Sequence, residues 1–333
     1  MVSLKDIARR CGVSTATVSK ALNGQPDVGE ETRQRIQALA DEMGYTTNAA
    51  AKALKTNRTN NLGILFFDDR QSGLTHEYFS AVLESIRHEA EIHGYDITFI
   101  NNSIEGRPTS YLRHCRYRGV DGAVIACVDF SDPRVLELVD SDLPLVTIDH
   151  IFDGQTAVMS DNRKGAYSLV QYAYAKGHRK IAFLHGERTS VTIRRLSGFY
   201  RACQELGISV PEEYVIGCAY HDTDRCYEAT KKLLALPDRP TCILMPDDFS
   251  YLGGMKAIME AGLSVPGDIS VMGYDGIRLA SIMQLTTFAQ NTTELGREAV
   301  VRLIDLIERP KYSIREPVWV TGTLVEGSSV AQL

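Results

Sequence analysis

The sequence predicts an α/β protein: an all-α helix-turn-helix head followed by two doubly wound parallel-sheet lobes. Three observations carry that prediction. Residues 4–22 show a helical apolar period broken once at Gly12, and from Leu62 onward short apolar runs alternate with amphipathic segments. Charge divides the same way. Residues 1–59 carry nine Lys/Arg against six Asp/Glu, whereas the remainder carries 27 against 36. A basic head on an acidic body directs phosphate binding to the head alone.

In the head, Ser3 and Asp6 form a capping-box pattern, and Leu4, Ile7, Ala8 and Cys11 follow the i, i+3, i+4, i+7 spacing of a buried stripe. Gly12 supplies the backbone freedom for a sharp turn. Ser14 caps a second helix whose Val18, Ala21 and Leu22 face inward. Its small or polar Thr15, Ala16, Thr17, Ser19, Lys20 and Asn23 are then left outward. Such a surface can approach DNA closely, and the N-terminal end of a recognition helix meets base edges. A third helix carries Ile36, Leu39, Ala40 and Met43 at the same spacing. Asn48 then caps an alanine-rich stretch, 48–55, too short to be a stable helix alone. Domain bounds of 1–46, 47–60 (hinge) and 61–333 are expected.

In the body, strand-like runs fall at 62–67, 95–100, 119–128, 143–149, 180–185, 214–219, 242–246 and 269–274. Amphipathic segments lie between them, among them 79–93 and 294–308. Eight strands in two groups predict two similar lobes. Ligands of such sheets bind beyond the carboxyl ends of the strands. Those ends offer Asp68, Asp69, Asn101, Asp149, His150, Asp161, Tyr220, Asp247, Asp248 and Asp275, with Arg195 nearby. Carboxylates, one Arg and aromatic faces suit a neutral polyhydroxylated ligand. Any single Asp among them has helix capping as the competing role.

Composition excludes other classes. There is no run of about 18 apolar residues and no apolar signal region, so a cytoplasmic location is expected. The seven cysteines form no CxxC pair and fit reduced thiols better than a disulfide framework or a metal site. No cofactor is expected, and no GxGxxG, P-loop or GxSxG motif points to an enzyme. A sugar-transport solute-binding protein is the competing class; the head counts against it.

The segments L-K-D-I-A-R-R-C-G-V-S-T-A-T-V-S-K-A-L-N-G, V-G-E-E-T-R-Q-R-I and M-G-Y-T-T-N-A-A-A-K-A-L-K resemble the headpiece of the LacI/GalR repressor family. The resemblance continues through V-D-G-A-V-I, S-D-N-R-K-G-A, R-L-S-G-F, M-P-D-D and V-P-G-D-I-S-V-M-G-Y-D. It implies two lobes of periplasmic-binding-protein type and a ligand-responsive, homodimeric regulator on a pseudo-palindromic operator. By the resemblance, Thr15, Ala16 and Lys20 read bases, while Ser14, Thr17 and Asn23 contact phosphates. Leu54 wedges into the minor groove with Ala51 and Lys55 beside it, and Phe79, Asp149, Arg195, Tyr220, Asp247 and Asp275 line the effector cleft. Departures are Lys20 where members often have Arg, Gly29 for a Ser cap, Thr47 for Pro, Asp247 for Asn, and the loop 70–78. No terminal heptad repeat is present, so a coiled-coil tetramer is not expected.

Overall fold

In the computed structural model, residues 2–45, 53, 58–67 and 75–333 are described. The chain divides into two compact units, Met1–Thr59 and Asn60–Leu333.

The first unit is three helices, Leu4–Cys11, Thr15–Leu22 and Glu30–Glu42. The Asp6 carboxylate accepts from both Ser3 N (3.0 Å) and Ser3 Oγ (2.7 Å), closing the first helix start. Gly12 ends that helix at φ +68°, a left-handed conformation that costs glycine little. Ser14 Oγ then accepts from Thr17 N at 3.0 Å. Gly29 occupies the third N-cap with no side-chain bond, as its lack of a side chain dictates. Ile7, Val18, Ala21 and Ile36 are wholly buried where the helices meet.

The second unit contains two six-stranded sheets. In chain order the strands are β1 (Asn61–Phe66), β2 (Asp96–Phe99), a small hairpin of β3 (Ser103–Ile104) and β4 (Arg107–Pro108), β5 (Gly122–Ala126), β6 (Leu145–Ile148) and β7 (Thr156–Ser160). They continue with β8 (Ile181–His185), β9 (Val215–Gly217), β10 (Cys242–Leu244), β11 (Ser270–Asp275), β12 (Thr286–Ala289), β13 (Pro317–Val320) and β14 (Thr323–Val325). The first sheet has the order β13-β7-β6-β5-β1-β2 and the second β14-β12-β11-β10-β8-β9. All pairings within them are parallel except β12 with β14. The eight expected strands are all present. The expectation of eight is corrected to twelve in the two sheets, because β7, β12, β13 and β14 were not foreseen.

Both faces of each sheet are covered, which is why β5, β6 and β7 are buried along their whole length. Helix Thr292–Glu308 packs against helix Glu77–Ile92 on the first sheet, although it follows β12 of the second. The chain crosses between lobes three times, after β7, β12 and β13. Each lobe therefore owns residues distant in sequence.

Candidate functional site

In the second unit, a cavity of about 390 Å³ opens between the two lobes. Its lining comes from the carboxyl ends of strands in both sheets. Cys127 and Val128 follow β5, Asp149 follows β6, Glu187 lies beyond β8, and Asp247, Asp275 and Gln290 stand at or beyond β10, β11 and β12. All six residues expected at the cleft, Phe79, Asp149, Arg195, Tyr220, Asp247 and Asp275, reach this one cavity. Small-molecule sites are commonly cavities of about 300–1,000 Å³.

The backbone is bent out of its usual range here. Cys127 (φ +53°), Asp149 (+58°), His221 (+53°) and Asp275 (+106°) are non-glycine residues at positive φ, and all four line the cavity. Such conformations cost free energy and persist only where the surroundings impose them. They turn the side chains that follow the strands into the cleft.

Arg195 organises the floor. It rises from helix Ser190–Glu205 and is 4% exposed. Its Nε donates to Asn162 Oδ1 and its Nη1 to the Pro246 carbonyl, each at 2.8 Å. Nη2 lies 3.5 Å from Asp275 Oδ1, and the guanidinium stands 3.5 Å from the Tyr274 ring centroid and 5.2 Å from that of Tyr220. Burial opposes its charge, but Tyr220, Tyr274 and Asp275 outweigh it and hold the pKa above its usual value. Arg195 is thus anchored by the protein's own groups, and among the described lining residues it is the sole Arg or Lys.

The carboxylates differ from one another. Burial pushes Asp149 up to about 6, against a bond of 2.7 Å accepted from Ser160 N and the Arg195 field. Burial also raises Asp275 well above the usual carboxylate range, with Arg195 opposing and Asp247 and Asp248 assisting. Gln290 Nε2 donates to Asp275 at 2.7 Å. Asp247 accepts from His221 N and Ser250 N at 2.7 Å and from Ser250 Oγ at 2.9 Å. Its oxygens hold the cleft loops, a task an amide nitrogen could not share. Asp248 does the same on the other side, accepting from Gly276 N, Ile277 N and Thr287 Oγ1. Asp161, offered by the strand-end pattern, is a helix cap on Lys164 N.

Aromatic rings form the remaining walls. His76, at the start of helix Glu77–Ile92, stacks on His221 at 4.0 Å, and His221 stacks on Phe249 at 3.9 Å. Phe130 lies parallel to His150 at 4.1 Å and 7°. Tyr220 meets Thr192 through their hydroxyls at 2.8 Å. His76, Phe130, His221 and Gln290 were missed in the sequence, since none ends a recognisable apolar run. Of the departing loop 70–78, the described part places His76 and Tyr78 against the cavity.

In the head, Ser14, Thr15, Ala16, Lys20 and Asn23 are exposed and Thr17 is half-buried. Several are already partnered. Ser14 and Thr17 hydroxyls meet at 2.9 Å, Asn23 Nδ2 donates to Ser19 O at 2.6 Å, and Lys20 pairs with Asp27. Ala51, Leu54 and Lys55 lie outside the described residues. Among the described residues no His/Cys/Asp/Glu group could hold a metal ion, and no helix is long and apolar enough to cross a membrane.

A helix-turn-helix unit on the same chain as a two-lobed ligand cleft defines a DNA-binding regulator that answers to a small molecule. Comparison with known proteins agrees. Residues 3–48 match the model for bacterial regulatory proteins of the lacI family, and residues 170–330 match the periplasmic binding protein-like domain. The HTH-type transcriptional repressor PurR of Pectobacterium carotovorum subsp. carotovorum (strain PC1) is 33% identical over 340 residues, covering 99% of this chain and 97% of the relative. PurR of Escherichia coli O139:H28 is 32% identical over the same span. The lac repressor dimer bound to operator and the anti-inducer ONPF superposes with a TM-score of 0.80 at 25% identity, covering 99% of each chain. A LacI family regulator from Enterococcus faecium with bound ribose gives 0.69 at 26% identity, over 82% of this chain and 99% of that one. The chain belongs to the lacI family. It is a ligand-responsive DNA-binding transcriptional repressor, and its relatives are repressors rather than enzymes.

Proposed function

We propose that this repressor binds a pseudo-palindromic operator as a homodimer and takes a neutral carbohydrate or related polyol in its cleft. On the DNA side, Thr15, Ala16 and Lys20 meet base edges while Ser14, Thr17 and Asn23 fix register on phosphates. Leu54 is the minor-groove wedge, with Ala51 and Lys55 at its sides. The division into head (1–46), hinge (47–60) and body (61–333) belongs to the same reading. Lys20 must leave Asp27 to reach a base, so its contribution is reduced by the bond it gives up. The relative solved on its operator is a dimer, which supports the two-fold arrangement.

One observation carries the effector reading. The cleft offers acceptors at Asp149 and Asp275, and the one guanidinium among its described lining residues is anchored on Asn162 and the Pro246 carbonyl and paired with Asp275. A phosphate or carboxylate ligand would meet these carboxylates and, among the described lining residues, only a guanidinium whose charge Asp275 already offsets. Hydroxyls, by contrast, donate well to such acceptors. The ribose-bound relative is consistent with this. A second reading, a planar heterocycle, is favoured by the aromatic lining of the cleft at Phe67, Tyr78, Phe79, Phe130 and Tyr220.

A thermal-shift screen of sugars, polyols, nucleobases and sugar phosphates, followed by an operator gel shift at fixed salt, tests both. Stabilisation by neutral sugars with altered operator affinity is expected. Response to nucleobases alone would select the second reading, and response to sugar phosphates alone would overturn both.

A further inference from the structure

The second lobe holds a pair of thiols that the cleft chemistry does not use. Cys218 directly follows β9, and Cys226 lies in the first turn of helix Thr223–Leu234. β9 pairs with β8, His185 opposite Gly217, and the helix packs across β8. The chain therefore leaves the sheet at Cys218, and the helix carrying Cys226 packs back on the strand next to β9. Cys218 packs against the apolar cluster that contains Cys226, and its thiol is near enough to raise the Cys226 pKa. Their other contacts are weak ones, Cys218 Sγ to the His185 carbonyl at 3.3 Å and Cys226 Sγ to Met245 Sδ at 3.6 Å. Neither would resist a small movement of sulfur.

The seven residues enclosed by the pair, 219–225, include two that form the cleft wall. Tyr220 shares its hydroxyl with Thr192 and lies beside Arg195, and His221 is the middle ring of the His76–His221–Phe249 stack. We propose that Cys218 and Cys226 form a reversible disulfide under peroxide, and that the bond pins the Tyr220–His221 segment of the cleft wall.

The two thiols differ in access, which sets the order of events. Cys218 is half-buried, whereas Cys226 is fully buried. The neighbouring Cys218 thiol and burial keep the Cys226 proton on, and the more exposed Cys218 is the thiol that meets the oxidant. The Cys218 thiolate attacks one oxygen of hydrogen peroxide, the O–O bond breaks, and hydroxide leaves, giving the sulfenic acid. Cys226 sulfur then attacks Cys218 sulfur, the S–OH bond breaks, and water leaves with the Cys226 proton. Two thiols are oxidised and one peroxide is reduced. A dithiol reductant reverses the sequence by thiol exchange.

The full-length protein, treated with hydrogen peroxide and then alkylated, tests this directly. Digestion with trypsin and a glutamate-specific protease separates Cys218 from Cys226 at Arg225 and from Cys203 at Glu205. The expected product is a peptide carrying Cys218 linked to one carrying Cys226, lost on treatment with dithiothreitol. Amide exchange over 219–225 should slow about tenfold on oxidation. Cys218→Ser should abolish both effects. Sulfinic acid on Cys218 with Cys226 still reduced, linkage to another cysteine, or a correct link with unchanged exchange would each overturn the proposal. The bond forms whatever the cleft binds, so its failure is separable from failure of the effector reading.

Discussion

Arg195 is the residue on which the cleft depends. A buried charge is tolerated only when its partners offset the lost hydration, and Arg195 has Asn162, the Pro246 carbonyl, Asp275 and the Tyr274 face. Removing it also leaves Asp275 uncompensated. Arg195→Met should therefore destabilise the body by about 3–5 kcal/mol in urea unfolding. Adding Asp275→Asn should recover part of that loss, and strictly additive effects would show that the pair is not coupled. His114 makes the opposite case, a buried titratable group with no hydrogen-bond partner for either ring nitrogen among the described residues. Burial lowers its pKa, so the folded state holds it neutral while the unfolded chain takes up a proton near pH 6.5. Its contribution is intact above that pH and is lost as pH falls through the depressed folded value. Burial lowers His150 and His178 too, whereas Asp149 and Asp248 are raised and act in the reverse sense. His114→Leu should thus raise stability by about 1–3 kcal/mol at neutral pH, by removing unsatisfied polar atoms. It should also flatten the loss below pH 6.5; an unchanged slope in unfolding measured on acidification from that pH would disprove the assignment.

At the scale of elements, glycine decides how closely the helices of the second lobe meet. A Cβ on Gly253 would stand 1.8 Å from the Thr223 carbonyl oxygen, and one on Gly198 would stand 2.0 Å from that of Arg163. In each pair the obstacle is backbone, which cannot rotate away. Gly253→Ala should force helix Tyr251–Glu260 off helix Thr223–Leu234 at a cost of about 1–3 kcal/mol. Calorimetry showing no loss would mean the helices slide freely. How far elements were legible follows from their composition. Strands such as β5 (Gly-Ala-Val-Ile-Ala) and β6 (Leu-Val-Thr-Ile) are apolar runs and declare themselves. β7 (Thr-Ala-Val-Met-Ser) is bounded by hydroxyl residues, β12 (Thr-Thr-Phe-Ala) opens on two of them, and β13 starts with proline at a sheet edge. Polarity hid β7 and β12, which only the neighbouring strands make buried, and the edge proline hid β13. The site shows the same division. Asp149 and Asp275 lay at strand ends where the α/β pattern directs attention, but nothing local distinguishes them from Asp161, which caps a helix. His221 and Phe130 gained a role only through partners contributed by other loops.

At the scale of the molecule, the DNA and effector functions occupy separate compact units, so perturbing one should leave the other's intrinsic chemistry intact. Leu54 provides the sharpest test of the proposed arrangement. An apolar wedge contributes by unstacking a base step and neutralises no phosphate. Leu54→Ala should then weaken operator binding about tenfold or more, roughly 1.4 kcal/mol. The slope of affinity against salt concentration should be preserved, because that slope counts released counterions. Lys20→Ala differs in kind. It removes a cation that is paired with Asp27 in the free head, so it should lower both affinity and slope, each by less than an unpaired lysine would. Effector affinity measured without DNA should be unchanged in Leu54→Ala, since no ligand contact is lost. With operator present, linkage requires that any change the ligand makes in DNA affinity be returned as an equal change in ligand affinity. If Leu54 is part of the route, the mutation reduces both by the same factor. Calorimetric titration of the ligand with and without operator, set beside gel shifts with and without ligand, measures the two factors. Operator binding like that of the wild type would remove the wedge from the mechanism, while weakened binding with undiminished coupling would place the allosteric connection elsewhere in the chain.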